Sequence, residues 1–495
     1  MVYPSYEEFV RLSLTGKMVP VAMEVAGDVE TPISLFMKLG RGENSYMLEG
    51  VEGGRRWARY SYIGRNPFLV ITARGNMVSV FDVQKNSITE KHGNALKIIR
   101  EIMEGFAIAK TADLPDFLGG AVGYFAYDVA RSGERMKNRQ ADTLNMPDIH
   151  LLLTSEVIVY DHVQQKIVLV VNAVHGNDPA ICYEKAVARL KAIQAEIGNG
   201  NYATRTGAFA DAQEITGETA WSSSTESKSS FIHKAEQVKN LIEKGAAFQV
   251  VLSQRLTLHT EADPFSVDRM LRSLNPSPYL FYIDFGEYQL VGASPELLVK
   301  VTDGLVETCP IAGTRPRGRT PAEDQAYAED LLDNEKEVAE HLMLVDLGRN
   351  DIGRVAEFGT VEVRNLMHVE KYSHVMHLAT NVAGRLKQEA TMFDALIACL
   401  PAGTVSGAPK MRAMEIIDRL EPEKRGVYAG AVGYLGFNGN LDLCIAIRTI
   451  LFKGKTAFVQ AGAGIVYDSD PAAEYGETLR KTKALLEAIR QAEVC

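Results

Sequence analysis

The first 175 residues are dominated by short β-rich runs, such as "FLVITARGNMVSVFDV" (68–83) and "EVIVYDHVQQKIVLVVNAV" (156–174). The second is two apolar runs about a polar turn, the pattern of a β-hairpin. Residues 197–229 are rich in Gly, Ser and Thr, lack apolar periodicity and read as a connector. Beyond it, Ile232, Val238, Leu241 and Ile242 recur at helical spacing until Gly245, where a β-rich run takes over. The pattern divides the chain into an N-terminal region (1–196), a polar connector (197–229) and a C-terminal region (230–495). Many short strands, separate helices and no βα alternation predict an α+β fold, a large antiparallel β-sheet sandwich flanked by helices. One echo crosses the connector: "GGAVGYFAYD" (119–128) resembles "AGAVGYLGFN" (429–438) and hints at an old duplication.

Two predicted helices carry paired carboxylates. In 330–351, Leu331, Leu332, Val338, Leu342 and Val345 predict one amphipathic helix. Glu337 and Glu340 lie at i and i+3 on it, with Asp333 a turn earlier on the same face. In 468–492, Ser469 or Asp470 is the expected N-cap, Pro471 the first helical residue, and Tyr475, Leu479, Thr482, Leu486 and Ile489 the apolar stripe. Glu474 and Glu477 repeat the same spacing. Like charges so placed cost a few tenths of a kcal/mol per pair, roughly, and a bound cation reverses the sign. The plainer reading is that acids in a first turn complement the helix dipole. Glu49 and Glu52 share the spacing too, so spacing alone does not make a metal site.

Composition narrows the classes of function. The chain has 495 residues, 46% hydrophobic and 23% charged, and a formal net charge of −10. That is ordinary globular make-up, and an acidic chain is a poor nucleic-acid binder. No apolar run reaches the roughly 18 residues of a membrane span, and the N-terminus lacks the apolar core of a signal peptide. Cys182, Cys309, Cys399, Cys444 and Cys495 are scattered and never spaced C-x-x-C, which fits a reducing compartment. The expectation is a cytoplasmic protein.

Smaller features point to an anionic ligand. "PIAGTRPRGR" (310–319) clusters Arg315, Arg317 and Arg319 after a turn at Gly313. "VQAGAGIVYDSD" (459–470) is a strand-like run broken by Gly462 and Gly464, without the spacing of a dinucleotide loop or P-loop, and offers backbone N–H groups to a small anion. Lys410, in "PAGTVSGAPK", reads as a solvated surface residue, and His377, in "YSHVMHLAT", as a core histidine.

Taken together, "PIAGTRPRGR", "NEKEVAEHLMLVDLGRNDIGR", "PAGTVSGAPKMRAMEIID", "YAGAVGYLGF", "CIAIRT", "QAGAGIVYDSDPAAEYGET" and, in the first half, "EGVEGGRRWARYSYIGRNP" resemble the chorismate-utilising enzymes, most closely the anthranilate synthase component I type. The resemblance implies that chorismate, a dicarboxylate, is bound with Mg²⁺. Gly313, Thr314, Tyr428, Arg448 and the backbone of Gly462, Ala463 and Gly464 carry over as substrate contacts. Glu340 and Glu477 carry over as Mg²⁺ ligands, with Glu337 and Glu474 direct or water-mediated. Glu296 of "ASPELL" stands at the position of the general acid, and His377 at that of the group orienting the leaving hydroxyl. Gln249 stands where water-using relatives carry a lysine base, and Ala312 where relatives that aminate C4 carry a nucleophilic lysine. Both point to amination at C2 by ammonia, and the resemblance implies that loss of pyruvate follows, giving anthranilate for tryptophan synthesis.

The runners-up are an enzyme that stops at 2-amino-2-deoxyisochorismate and an aminodeoxychorismate synthase. The non-enzymatic alternative is an acidic binding or scaffold protein. The chain offers no nucleophilic-cysteine triad, so the resemblance also implies a separate glutamine amidotransferase subunit as the ammonia source. It further implies feedback inhibition by tryptophan, at Glu49, Gly50, Pro278, Tyr279 and Leu280. Here "MLEG" departs from the usual Leu-Leu-Glu-Ser, and Gly50 removes a serine hydroxyl.

Overall fold

Strands Ser45–Glu49, Gly120–Phe125, Ile149–Thr154 and Ala431–Gly436 are buried at every position, which demands a covering layer on each side. The computed structural model describes residues 2–39, 41–50, 59–111, 114–133, 140–174, 178–200, 221–372 and 375–494. Among these, two antiparallel sheets of 13 and 12 strands supply that cover for each other. Their inward faces share one apolar core, which includes Tyr46, Tyr62, Val122, Tyr124, Leu152, Phe281 and Tyr434. The outer face of the 13-stranded sheet packs on helices Pro32–Leu39, Pro179–Asn199, Pro264–Leu274 and Pro471–Val494 through Leu35, Leu190, Phe265 and Ile489. The predicted α+β sandwich is what forms.

The predicted hairpin is present, with Glu156–Asp161 antiparallel to Lys166–Val174. The helix Lys228–Glu243 gives way to strand Gln249–His259 across Gly245, as the pattern predicts. Residues 201–220, the bulk of the proposed connector, lie outside the described residues, as do residues 51–58 of the first-half motif. One expectation fails. Residues 330–351 are two helices, Pro321–Asp333 and Glu335–Val355, because Asn334 ends one and caps the next, its Oδ1 accepting from Glu337 N at 3.1 Å. Asp333 therefore does not extend the face carrying Glu337 and Glu340.

Both sheets draw strands from either side of the connector and join them at two seams. Ser45–Glu49 pairs with Tyr279–Asp284, and Gly120–Phe125 with Ala431–Gly436. Moving out from the first seam, the order is Tyr60–Gly64, Glu156–Asp161, Lys166–Val174 and Met18–Ala26 on one side. On the other it is Gln289–Ser294, Thr449–Lys453, Thr456–Ile465 and Gln249–His259. The second sheet repeats the same mirror-like order. The fold is thus an approximate two-fold repeat, and the sequence echo lies on the second seam, where Gly123 faces Gly433. A Cβ on either would sit about 2 Å from a carbonyl of the next strand, His150 or Asp442, so only glycine lets four strands close there.

Candidate active site

A cavity of about 640 Å³ gathers most of the residues marked out in the sequence. Strands Gln249–His259 and Thr456–Ile465, paired with Val251 opposite Gly464, supply Gln249, Gly462 and Gly464. Strand Ile311–Pro316 supplies Ala312, Gly313 and Thr314, and its neighbour Val375–Arg385 supplies His377. Glu337 and Glu340 enter from the first turns of helix Glu335–Val355, and Glu474 and Glu477 from helix Pro471–Val494. Asp470 caps the latter, its Oδ1 accepting from Ala473 N at 2.7 Å, while Ser469 Oγ turns back to Val466 N. Glu296, Tyr428 and Arg448 complete the wall.

The four glutamates are held apart by separate partners. Gln249 Nε2 donates to Glu340 Oε1 at 3.0 Å, Arg315 pairs with Glu337 at 3.1 Å and Lys481 with Glu477 at 2.7 Å. They still feel one another. Burial, then the charges of Glu337 and Glu477, raises the Glu340 carboxyl above its ordinary value against the Gln249 hydrogen bond. Burial also raises Glu474, with Glu477 adding to it against a hydrogen bond from Ser469. Among the described residues no three acidic, His or Cys side chains converge as a ready ligand sphere. An all-carboxylate donor set on facing helices nevertheless has the chemistry of a hard divalent cation site, because a cation would relieve the mutual repulsion that the shifts report.

Away from the carboxylates, the wall is prepared for an anion and a proton. Burial depresses the Arg448 guanidinium, opposed by Tyr428 and Glu477, but it stays charged; its Nη1 donates to Lys481 O at 3.0 Å. Burial pushes the Tyr428 hydroxyl up to about 12, so it remains a donor. Glu296 is 8% exposed, and burial pushes its carboxyl up to about 8, with Thr404 and Lys481 opposing. It is therefore a neutral acid near pH 7. His377 Nδ1 lies 2.8 Å from Gly313 O and 3.1 Å from Thr314 Oγ1, and burial holds the ring below its ordinary value. A carbonyl only accepts, so Nδ1 carries the proton and Nε2 is an acceptor.

Several sequence expectations change here. His377 lines the cavity and is not a core histidine. Lys410 is not a solvated surface residue: it is largely buried in a 2.7 Å ion pair with Asp351 that ties the "PAGTVSGAPK" turn to the carboxylate helix. The arginines of "PIAGTRPRGR" do not form an anion pocket. Arg315 is engaged by Asp330 and Glu337, and Arg317 by Asp324. Ala463 is fully buried, alternating away from the wall that Gly462 and Gly464 line. Glu474 alone is in the first turn of its helix, so the dipole does not account for Glu477. Lys481 was missed from sequence, although a lysine four residues after Glu477 is the i,i+4 partner such a carboxylate calls for; it pairs with Glu477 and its Nζ donates to Gly462 O at 3.0 Å.

The residues marked for an effector also meet, across the first seam. Glu49, Gly50, Pro278, Tyr279 and Leu280 line a narrow cavity of about 60 Å³ with Tyr60, Tyr62 and Tyr434. Leu280 pairs with Glu49 in register. Burial raises the Glu49 carboxyl, against the charge of Arg272 and a hydrogen bond from Ser61.

With this geometry in place, comparison with known proteins is informative. The family of chorismate binding enzymes matches residues 54–487. An anthranilate synthase component 1 from Acetivibrio thermocellus is 52% identical over 493 residues, covering 99% of each chain. One from Aquifex aeolicus is 44% identical over 490 residues, covering 99% of this chain and 98% of its own. The crystal structure of anthranilate synthase component I from Streptococcus pneumoniae superposes with a TM-score of 0.76 at 39% identity, covering 93% of this chain and 98% of that one. The chain belongs to the chorismate binding enzymes, in the group formed by the anthranilate synthase component 1 proteins.

Proposed function

We propose that the chain is the chorismate-converting subunit of an anthranilate synthase, which aminates chorismate at C2 and expels pyruvate, with ammonia delivered by a separate glutamine amidotransferase subunit. The observation that carries this reading is Gln249. The cavity wall offers an amide, already donating to Glu340, at the place where water-using relatives carry a lysine base, and ammonia needs no base to become a nucleophile. Ala312 likewise stands, without an amine, where relatives that aminate C4 carry a nucleophilic lysine.

Arg448 and Tyr428 hold a substrate carboxylate, the arginine by its fork of N–H donors. Thr314 and the backbone of Gly462 and Gly464 line the same wall. Glu340 and Glu477 would hold Mg²⁺, with Glu337 and Glu474 direct or water-mediated, and the charge supplied there would offset that of the ring carboxylate as the ring rearranges. Nε2 of His377 accepts a hydrogen bond from the C4 hydroxyl, which turns that oxygen's lone pairs toward Glu296. Hydroxide leaves poorly, so Glu296 gives its proton to the departing oxygen, which leaves as water while ammonia bonds to C2. The ammonium so formed gives up a proton that restores the acid. The second step moves the C2 proton to the enolpyruvyl methylene carbon as the C–O bond breaks, releasing pyruvate and leaving anthranilate. The narrow cavity at the first seam takes tryptophan as a feedback inhibitor.

Incubating the purified chain with chorismate, Mg²⁺ and excess ammonium tests the reading. Anthranilate fluorescence that needs all three components, and is lost in Glu296→Gln, is the expected result. Chorismate left intact by a folded protein would overturn it.

A further inference from the structure

Glu296 has no ion pair among the described residues, yet a general acid must face its substrate in both protonation states. Glu296 lies in the two-residue link between strands Gln289–Ser294 and Leu297–Thr302. The hydrogen bonds there, Ile445 N to Glu296 O at 3.0 Å and Glu296 N to Ser294 Oγ at 3.4 Å, hold only its backbone. The neighbour of the carboxyl is Thr404, in the four-residue helix Gly403–Ser406. Thr404 lines the same cavity, and its Oγ1 is enclosed without a hydrogen-bond partner at full geometry among the described residues.

The short helix is pinned on three sides. Ser406 Oγ donates to Ala402 O at 2.7 Å, and the fully buried Arg425 donates through Nη1 to Val405 O at 2.7 Å. A Cβ at Gly403 would lie 2.6 Å from a Leu347 methyl, so this helix packs directly on the helix that carries Glu337 and Glu340. Thr404 is therefore presented by a rigid support. Its β-branch restricts χ1, which holds the hydroxyl in one place.

The geometry points to Thr404 as the residue that positions the Glu296 carboxyl toward the C4 oxygen of the substrate. A hydroxyl carries one donor and two acceptor lone pairs. It can accept from the neutral acid before proton transfer and rotate to donate to the carboxylate after it. A lysine would pair with the carboxylate and drain its proton, and an aliphatic side chain would leave it free to rotate. Thr404 steadies the acid and touches no reacting atom. This assignment rests on the general-acid reading of Glu296, so the test separates the two.

Steady-state kinetics of Thr404→Val, Thr404→Ser and Glu296→Gln, with chorismate, Mg²⁺ and ammonium, decide it. Thr404→Val should lower kcat by about tenfold, the worth of one hydrogen bond, with KM for chorismate within about twofold and the melting temperature unchanged. Thr404→Ser keeps the hydroxyl and should restore kcat to within about threefold of the parent. If Glu296→Gln is inactive while Thr404→Val matches the parent, this inference fails and the general-acid reading stands. If Glu296→Gln keeps full turnover, both fail. Equal losses in the Val and Ser variants with a raised KM would reduce Thr404 to a packing residue and overturn the assignment.

Discussion

The two halves of the repeat have the same strands in the same order but opposite interiors. In the C-terminal half, the end of the strand pair Gln249–His259 and Thr456–Ile465 opens on the 640 Å³ cavity. In the N-terminal half, the matching end of Met18–Ala26 and Lys166–Val174 is crossed by residues 105–111. Met18 exchanges backbone hydrogen bonds with Ala107 and Ala109 there and is 1% exposed. The helices that follow the two strand pairs start alike, as Asp178-Pro179-Ala180 and Asp470-Pro471-Ala472, each with its Asp capping. At the third and sixth residues after proline, one has Glu474 and Glu477 and the other Cys182 and Lys185. The difference teaches that this fold needs only one half hollow. The filled half supplies packing, and the hollow half tolerates buried like charges that a filled one would not.

The contrast can be broken most severely at a carboxylate. Glu340→Gln should reduce Mg²⁺-dependent turnover by on the order of a thousandfold, with unchanged circular dichroism, since a lost ligand charge removes several kcal/mol of transition-state stabilisation. Retained turnover at saturating chorismate would remove Glu340 from the metal site. In the filled half the same severity should fall on stability. Ile99→Ala, fully buried on helix Ala95–Glu104, should cost about 2–5 kcal/mol of unfolding free energy while leaving KM unchanged, as denaturant titration and kinetics would report.

pH sharpens the comparison next. On the general-acid assignment of Glu296, kcat/KM should fall as pH rises through about 8, approaching tenfold per unit; a flat profile across that range would count against the assignment. The same group couples to stability. Its folded value lies above its unfolded one, so the folded state holds the proton longer and loses relative stability as pH climbs from about 4.5 to about 8. Glu296→Gln should therefore melt at a higher temperature than the parent at pH 8, and the gap should close near pH 4.5. The smallest effect belongs to the seam between the halves. Gly50→Ser should tighten tryptophan inhibition several-fold, corresponding to about 0.5–1.5 kcal/mol for one restored hydrogen bond. Unchanged sensitivity would mean that the hydroxyl does not reach the effector.

What was legible in the sequence follows from the range of the interactions. The hairpin at 156–174, the strand–helix switch at Gly245 and the Asp470-capped helix are local, and periodicity and turn chemistry reveal them. The carboxylate pairs were visible as spacing, but their placement on one cavity depends on two helices whose glutamates lie 137 residues apart in sequence (Glu340 to Glu477), which no local pattern encodes. Lys410 and the arginines at 315 and 317 were misjudged for that reason: their partners Asp351, Asp330 and Asp324 become partners only through tertiary packing. Asn334 is a local cap, but the apolar residues on either side of it keep one helical period, so the pattern predicts a single helix there. The repeat was under-read because five shared residues at the seam say little until the strands on either side of them are seen to match.

The central claim is that the hollow half joins ammonia to C2 of chorismate and completes the loss of pyruvate. The most direct measurement supplies [¹⁵N]ammonium, chorismate and Mg²⁺ to the purified chain, and quantifies products by mass and NMR. The account predicts ¹⁵N-anthranilate and pyruvate in equal amounts. An aminated product that keeps its enolpyruvyl ether, or a hydroxylated product without ¹⁵N, would contradict it.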